Sequence, residues 1–220
     1  MIREELLSNA KPILFNTDMV RAILDGRKTV TRRLMKLPAN DHLEVDTDGS
    51  IIGIFNQYEG AVIDEMAYAP YQPRDILYVR ETWGEGYHGY IYKADDKLVD
   101  LPEFKESSKM IYRPSIHMPK DAARIFLRVT DVHAERLQDM PHDAALKEGI
   151  HFCECPDGYT WKSSTNMYNC YITPMGAMKE LWNSVIKKSD LGRYGWHTNP
   201  YVWVIEFEKI SKEEAHDRTD

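Results

Sequence analysis

The residues best suited to chemistry lie in an eight-residue stretch, 26–33, which reads Gly-Arg-Lys-Thr-Val-Thr-Arg-Arg. A lysine near a threonine can serve acyl transfer, because an amine whose pKa is lowered by burial or by neighbouring cations can accept the hydroxyl proton. Lys28 and Thr31 are three residues apart and would face opposite ways on a regular strand, so the chain has to turn between them. The alternative is an exposed basic strand, since runs of basic residues usually form solvated surfaces.

Glu148 is the second candidate. It is predicted at the end of a short helix, directly before Gly149. The negative end of the helix dipole disfavours the charged form of a carboxylate, which suits a general acid or base. The alternative is an ordinary surface glutamate.

A third group of candidates ends the predicted strand 75–83, which closes with Arg80, Glu81, Thr82 and Trp83. If the sheet is closed, either Arg80 or Glu81 points inward, and an inward charge needs a partner. That partner makes either a structural ion pair or part of a pocket. Trp83 either stacks on a base or packs in the core.

Four residues capable of binding metal lie close together in the second half of the chain: His151, Cys153, Cys155 and Cys170. They could complete a four-ligand zinc site, but their spacing differs from the paired Cys-x-x-Cys patterns of common zinc sites. We therefore expect reduced thiols in an insertion, with no metal and no cofactor.

Composition narrows the class of protein. The chain has 220 residues and a net charge of −7, so no global basic field recruits nucleic acid. The segment 21–36 is nevertheless locally basic, with six Lys or Arg residues against one acid. The sequence has no secretory signal and no window as apolar as a membrane span, and its odd number of cysteines does not suggest a disulfide framework. These features predict a cytoplasmic protein with no membrane partner, and they leave the oligomeric state open.

The sequence pattern predicts that the elements that position these residues form one domain over 12–210. A polar lead-in at 1–11 precedes this domain, and a polar tail at 211–220 follows it. Two excursions interrupt it, near 38–68 and 151–172. The clearest strands are predicted at 75–83, 124–132 and 201–207, with shorter ones at 12–15, 29–34, 51–55, 90–93 and 110–113. Helices are predicted over 18–25, 141–148 and 174–186. Many strands, about three helices and no regular β–α alternation predict an α+β fold, a small mixed β-barrel with helices packed at its ends.

In their order along the chain, several of these segments resemble the ASCH domain family. They are the motif 26–33, the strands 75–83 and 125–132, the helix ending Lys147-Glu148-Gly149, and the closing segment 203–207. Segments 112–119, 181–184 and 199–203 further resemble the phage- and prophage-borne branch of that family. The resemblance implies a PUA-like β-barrel. One departure is Pro73-Arg74-Asp75, where relatives often carry Pro-Gly-Asp.

The resemblance also implies a chemistry, because relatives include small bacterial acetylcytidine amidohydrolases. By motif position, Lys28 activates the hydroxyl of Thr31 for attack on an amide carbonyl, and Glu148 shuttles protons. Substrate binding is then expected from Arg33, Arg80, Glu81 and Trp83. The implied partner is a modified nucleoside or single-stranded nucleic acid. The alternative function is a non-catalytic RNA- or DNA-binding module, or a nuclease, that uses the basic segment 21–36.

Overall fold

The computed structural model describes residues 9–37, 41–47, 51–56, 62–63, 69–95, 111–155, 158–163 and 166–216. Within them the chain mixes strands and helices, which confirms the α+β class. The strands are β1 (Lys11–Leu14), β2 (Val30–Leu34), β3 (Asp41–Val45), β4 (Ile51–Asn56), β5 (Val62–Ile63), β6 (Ile76–Arg80), β7 (Trp83–Gly86), β8 (Gly89–Tyr92), β9 (Phe126–Arg136), β10 (His151–Cys155), β11 (Gly158–Ser163), β12 (Asn166–Tyr171) and β13 (Tyr201–Ile210). The helices are α1 (Thr17–Leu24), α2 (His142–Lys147), α3 (Pro174–Val185) and α4 (Leu191–Tyr194).

A five-stranded sheet in the order β1-β6-β9-β13-β2 organises the molecule. β1 runs parallel to β6, and the other neighbours pair antiparallel. Residues Val202 to Ile205 of β13 are all buried, so both faces of this strand are covered. Apolar residues on both faces of the segment 201–207 predict a central strand, and β13 does have a neighbour on each side.

The two edge strands of this sheet approach each other without pairing. Nη2 of Arg33 on β2 donates to the carbonyl of Leu14 on β1, at 2.8 Å. The Phe15 ring, which follows Leu14 in the sequence, packs against the Phe207 ring with centroids 6.2 Å apart. Among the described strands, the sheet is therefore curled and bridged by a guanidinium, and backbone pairing does not close it into a barrel.

Both excursions contain sheets of their own. The described parts of the first form β3-β4-β5, and the second forms β10-β11-β12, an antiparallel meander. The predicted strand 110–113 is not seen in its described part, because Arg113 makes only an isolated bridge to Trp83. The predicted polar tail packs at least as far as Ala215, which is 1% exposed.

A side-chain cap and two glycines mark the ends of α1 and α2. The Asn16 side chain accepts from the Met19 amide at 2.8 Å and caps α1. Gly26 follows α1 at φ +74°, and Gly149 follows α2 at φ +95°, a conformation in which glycine has no side-chain strain. In the parts of the chain that the structure describes, no helix is long and apolar enough to cross a membrane.

The turn before β6 keeps the backbone conformation that a glycine would favour. Arg74 has φ +75°, in the left-handed region that L-residues rarely occupy. Its amide donates to the Val129 carbonyl at 2.8 Å, which ties the turn to β9. The departure from Pro-Gly-Asp therefore leaves a left-handed residue in this turn and places an arginine in it.

Candidate functional site

Backbone pairing brings Lys28 and Glu148 together. The two residues form an isolated antiparallel bridge, and the Thr29 amide donates to the Lys147 carbonyl at 2.9 Å. Residues opposite each other in such a bridge have Cβ atoms about 5 Å apart, so their side chains lie side by side. Lys28 lies between α1 and β2, and Glu148 is the C-cap residue of α2.

The Lys28 amine is enclosed by acceptors. Nζ donates to Glu148 Oε2 at 2.6 Å, to the Val30 carbonyl at 2.8 Å and to the Glu148 carbonyl at 3.1 Å, and the side chain is 0% exposed. An ammonium has three N–H donors and a neutral amine has two, so this geometry fits the protonated form with every donor in use. Burial lowers the pKa of Lys28, the Glu148 carboxylate opposes that change, and the nearby guanidiniums of Arg33 and Arg32 add to it.

Glu148 has a second cation that no sequence pattern had predicted. Nη1 of Arg32 donates to Glu148 Oε1 at 3.1 Å, and Nε of the same guanidinium donates to Glu135 Oε1 at 2.8 Å. The Arg32 side chain is 3% exposed. The signal that would have found this contact is the register of β2, β13 and β9, which a single sequence does not reveal.

Thr31 lies close in sequence but makes no hydrogen bond to the pair. It is 3% exposed and stands opposite Ile205, which in turn stands opposite Val132. The hydrogen bonds of the Lys28 and Glu148 side chains run to other groups. The structure therefore brings two of the three predicted catalytic residues, Lys28 and Glu148, into direct contact and places the third, Thr31, on β2.

The backbone pairing partner changes between Lys28 and Thr31. The Thr29 amide bonds to Lys147, whereas its carbonyl accepts from the Phe207 amide at 2.9 Å. In a regular antiparallel pair, the amide and carbonyl of one residue bond to the same opposite residue. The split between two segments shows that the regular ladder of β2 does not extend back to Lys28, so the alternation of side chains between two faces does not relate Lys28 to Thr31.

Arg33 borders the same site. Its Cζ lies 5.3 Å from the centroid of the Phe15 ring, and the Lys28 Nζ lies 5.7 Å from that centroid. Burial lowers the pKa of Arg33, and the charges of Tyr71 and Glu148 oppose that change. Thr31 shares its face of β2 with Arg33, since the two are two residues apart on one strand.

Glu81 makes a separate ion pair. Its carboxylate accepts from Nε and Nη2 of Arg124, at 2.9 and 3.0 Å, and Nη1 of the same arginine bonds to Asp95 at 2.7 Å. Burial raises the pKa of Glu81, and the hydrogen bonds and charge of Arg124 oppose that change. Of the two readings of this inward charge, the structure shows the ion pair.

The Trp83 and Arg80 side chains contact other groups of the protein. Trp83 is 3% exposed, with the Arg113 guanidinium 5.1 Å from its ring and Tyr90 packed edge-on at 5.6 Å. Arg80 donates through Nη2 to the carbonyl of Ile116. The indole is therefore a core side chain in this conformation, and a base has no open face on which to stack.

The cysteine segment shows no metal centre in its described part. Cys153 lies on β10 and Cys170 lies on β12. Among the described residues, no group of three or more His, Cys, Asp or Glu side chains could hold a metal ion. The side chain of Cys155 lies outside the described part. Burial lowers the pKa of His151, and the positive charge of Arg27 lowers it further.

The basic segment 21–36 is not an open cationic surface. Most of its cations bond to other groups of the protein. Besides Lys28, Arg32 and Arg33, these are Arg21, which donates to the Ala94 carbonyl at 3.0 Å, and Arg27, which donates to the Gly149 carbonyl at 3.1 Å. Lys36 is exposed. The predicted strip therefore presents little free charge to a phosphate backbone.

No family model, curated protein or solved structure matches this chain. The likeness to the ASCH family consequently stands on the sequence motifs alone.

Proposed function

We propose that this chain is a phage-type ASCH protein with a PUA-like fold that recognises a nucleobase or modified nucleoside and hydrolyses an exocyclic amide on it. The observation that carries this proposal is the buried contact between Lys28 Nζ and Glu148 Oε2, 2.6 Å long and made by residues 120 positions apart. A buried amine beside a carboxylate can pass a proton over that distance, and amide hydrolysis requires such transfers.

The proposed reaction uses three side chains. Lys28 first passes a proton to Glu148, which leaves a neutral amine. The Thr31 hydroxyl then attacks the amide carbonyl carbon while the amine takes its proton. The carbon–nitrogen bond breaks as Glu148 gives its proton to the departing exocyclic amine. Water next attacks the acyl-threonine ester and gives a proton to Glu148, while Lys28 gives a proton to the departing Thr31 oxygen. This step releases the carboxylic acid, and transfer of the proton from Glu148 back to Lys28 restores the starting state.

Two further observations support the proposal. Burial lowers the pKa of Lys28, which makes proton loss from this amine easier than from an exposed lysine. The curled five-stranded sheet, whose edges are joined by Arg33 and Leu14, has the shape from which a PUA-like barrel would be built. The free amine also has to turn from Glu148 toward Thr31, so the described conformation corresponds to a resting state.

Turnover of acylated nucleosides tests the proposal. Purified protein is incubated with acetylcytidine and a panel of related amides, and the products are separated by chromatography. We expect Thr31→Val and Lys28→Met to lower kcat by about 10²- to 10⁴-fold, the usual size of an acid–base contribution, and Thr31→Ser to retain part of the rate. The matched control is Thr29→Val, which removes an exposed hydroxyl two residues earlier on the same segment.

Two results would contradict the proposed reaction. One is the absence of turnover by the wild-type protein on the whole panel, and the other is equal turnover by wild type and Thr31→Val.

A titration with single-stranded RNA at two salt concentrations tests the binding alternative. Because most cations of segment 21–36 are engaged within the protein, we expect no binding that weakens steeply with salt. Such binding by a protein without turnover would favour the binding module.

A further inference from the structure

Arg32 lies between two carboxylates that come from different elements. Its Nε bonds to Glu135 Oε1 at 2.8 Å, and its Nη1 bonds to Glu148 Oε1 at 3.1 Å. The sheet register explains the first contact. Arg32 stands opposite Val204, and Glu135 stands opposite Val202, so both side chains rise from the same face on the two strands that flank β13.

The contacts form a chain of alternating charge: Lys28, Glu148, Arg32 and Glu135. Two cations balance two carboxylates, so the cluster is neutral although its first three side chains are 3% exposed or less. Each oxygen of Glu148 faces a different cation, Oε2 facing Lys28 and Oε1 facing Arg32. Fixing Oε1 therefore fixes the direction in which Oε2 points.

The direction of Oε2 determines the hydrogen bonding of the lysine. Lys28 has two carbonyl acceptors, and the Glu148 carboxylate is the third. If the carboxylate turned away, one N–H of a fully buried ammonium would lose its acceptor, which is costly in a low-dielectric interior. A residue that prevents this rotation acts on the pair without touching a substrate.

We propose that Arg32, anchored by Glu135, is a positioning residue that holds the Glu148 carboxylate in register with the Lys28 amine. The positioning is a property of the folded protein. Its consequence for turnover rests on the proposed amide hydrolysis, in which Glu148 exchanges a proton with Lys28. Arg32 contacts Oε1 of Glu148, whereas Lys28 contacts Oε2, so Arg32 acts on the proton exchange through Glu148.

The test measures the Lys28 ammonium directly. In protein labelled with nitrogen-15, at mildly acidic pH, a buried and saturated ammonium gives a slowly exchanging side-chain signal, identified by its absence from Lys28→Met. We expect Arg32→Gln to accelerate exchange of these protons about ten-fold or more, the order set by a hydrogen bond to a charged group. Arg32→Lys, which keeps the charge, restores part of the protection, and Glu135→Gln gives an intermediate rate. The matched control is Arg128→Gln, which removes an arginine from a more exposed pair with Glu208, 2.9 Å long.

The outcomes separate this inference from the proposed function. Exchange as slow in folded Arg32→Gln as in wild type overturns the positioning role, whether or not the protein turns over. If Arg32→Gln does not fold, Glu135→Gln decides, because it removes the anchor and keeps the guanidinium; unchanged exchange there overturns the role as well. Faster exchange in a wild type that hydrolyses no amide supports the positioning and rejects the proposed reaction. If both hold, kcat falls in Arg32→Gln while KM stays unchanged.

Discussion

The buried contact between Lys28 and Glu148 predicts a specific result in a double-mutant cycle. The single variants are Lys28→Met, which replaces the amine by an apolar chain of similar length, and Glu148→Gln, which keeps the shape and removes the charge. Each single variant leaves a charged partner in a site that is 3% exposed or less. The double variant removes both charges, so its cost should be much smaller than the sum of the single costs.

The distances set the magnitudes. With an effective dielectric constant of about 20, Coulomb's law gives an attraction of about 6 kcal/mol for the 2.6 Å separation of Lys28 and Glu148, and about 5 kcal/mol for the 3.1 Å separation of Arg32 and Glu148. Desolvation offsets most of this attraction. Because Lys28→Met leaves Arg32 beside Glu148, we expect its cost to lie near 3 kcal/mol, the low end for a broken buried pair. We expect a similar cost for Glu148→Gln, and about 3 rather than 6 kcal/mol for the double variant, a coupling of the size seen for contacting residues.

Urea unfolding at neutral pH, followed by circular dichroism, measures these free energies, and equal m-values across the four proteins validate the comparison. The control cycle uses Arg128→Met and Glu208→Gln, whose side chains are 25% and 53% exposed and whose coupling should stay below about 1 kcal/mol. Costs that add to within about 0.5 kcal/mol at Lys28 and Glu148 would refute the reasoning, because independent sites behave in that way.

Two further predictions concern stability. Burial lowers the pKa of Lys28 from 10.5, so between the folded pKa and 10.5 the unfolded chain binds more protons than the folded one. The unfolding free energy therefore rises with pH in that window, by at most about 1.4 kcal/mol per pH unit. Urea unfolding of wild type and Lys28→Met across alkaline pH isolates this slope, and parallel curves would contradict it. At the left-handed turn residue, Arg74→Gly should raise the unfolding free energy by up to about 1 kcal/mol, whereas Arg74→Val should lower it by about 1 kcal/mol or more. Equal stability of Arg74→Gly and Arg74→Val would show that the turn is not strained.

The long strands were predictable because their apolar residues decide their structure locally. β13 carries apolar residues on both faces, which predicts a central strand, and these residues are buried. The sequence does not predict the end of β9, because residues 133–136 are mostly polar and belong to the strand only through their pairing with β13. The segment 110–113 shows the opposite error, since its apolar and aromatic residues resemble a strand while Arg113 pairs only with Trp83. In both cases the outcome depends on a partner strand that local propensity does not specify.

The candidate site shows the same limit more sharply. Composition and spacing identified Lys28 and Glu148 separately, and only the family resemblance placed them in one site. Arg32 looked like part of a solvated basic strip, yet the register of three strands directs it to Glu135 and Glu148. A basic residue can be buried where the fold supplies carboxylates that pair with it. Here Arg32 pairs with two carboxylates from distant segments. That pairing makes the segment 26–33 a poor surface for a phosphate backbone and a well-defined environment for one lysine.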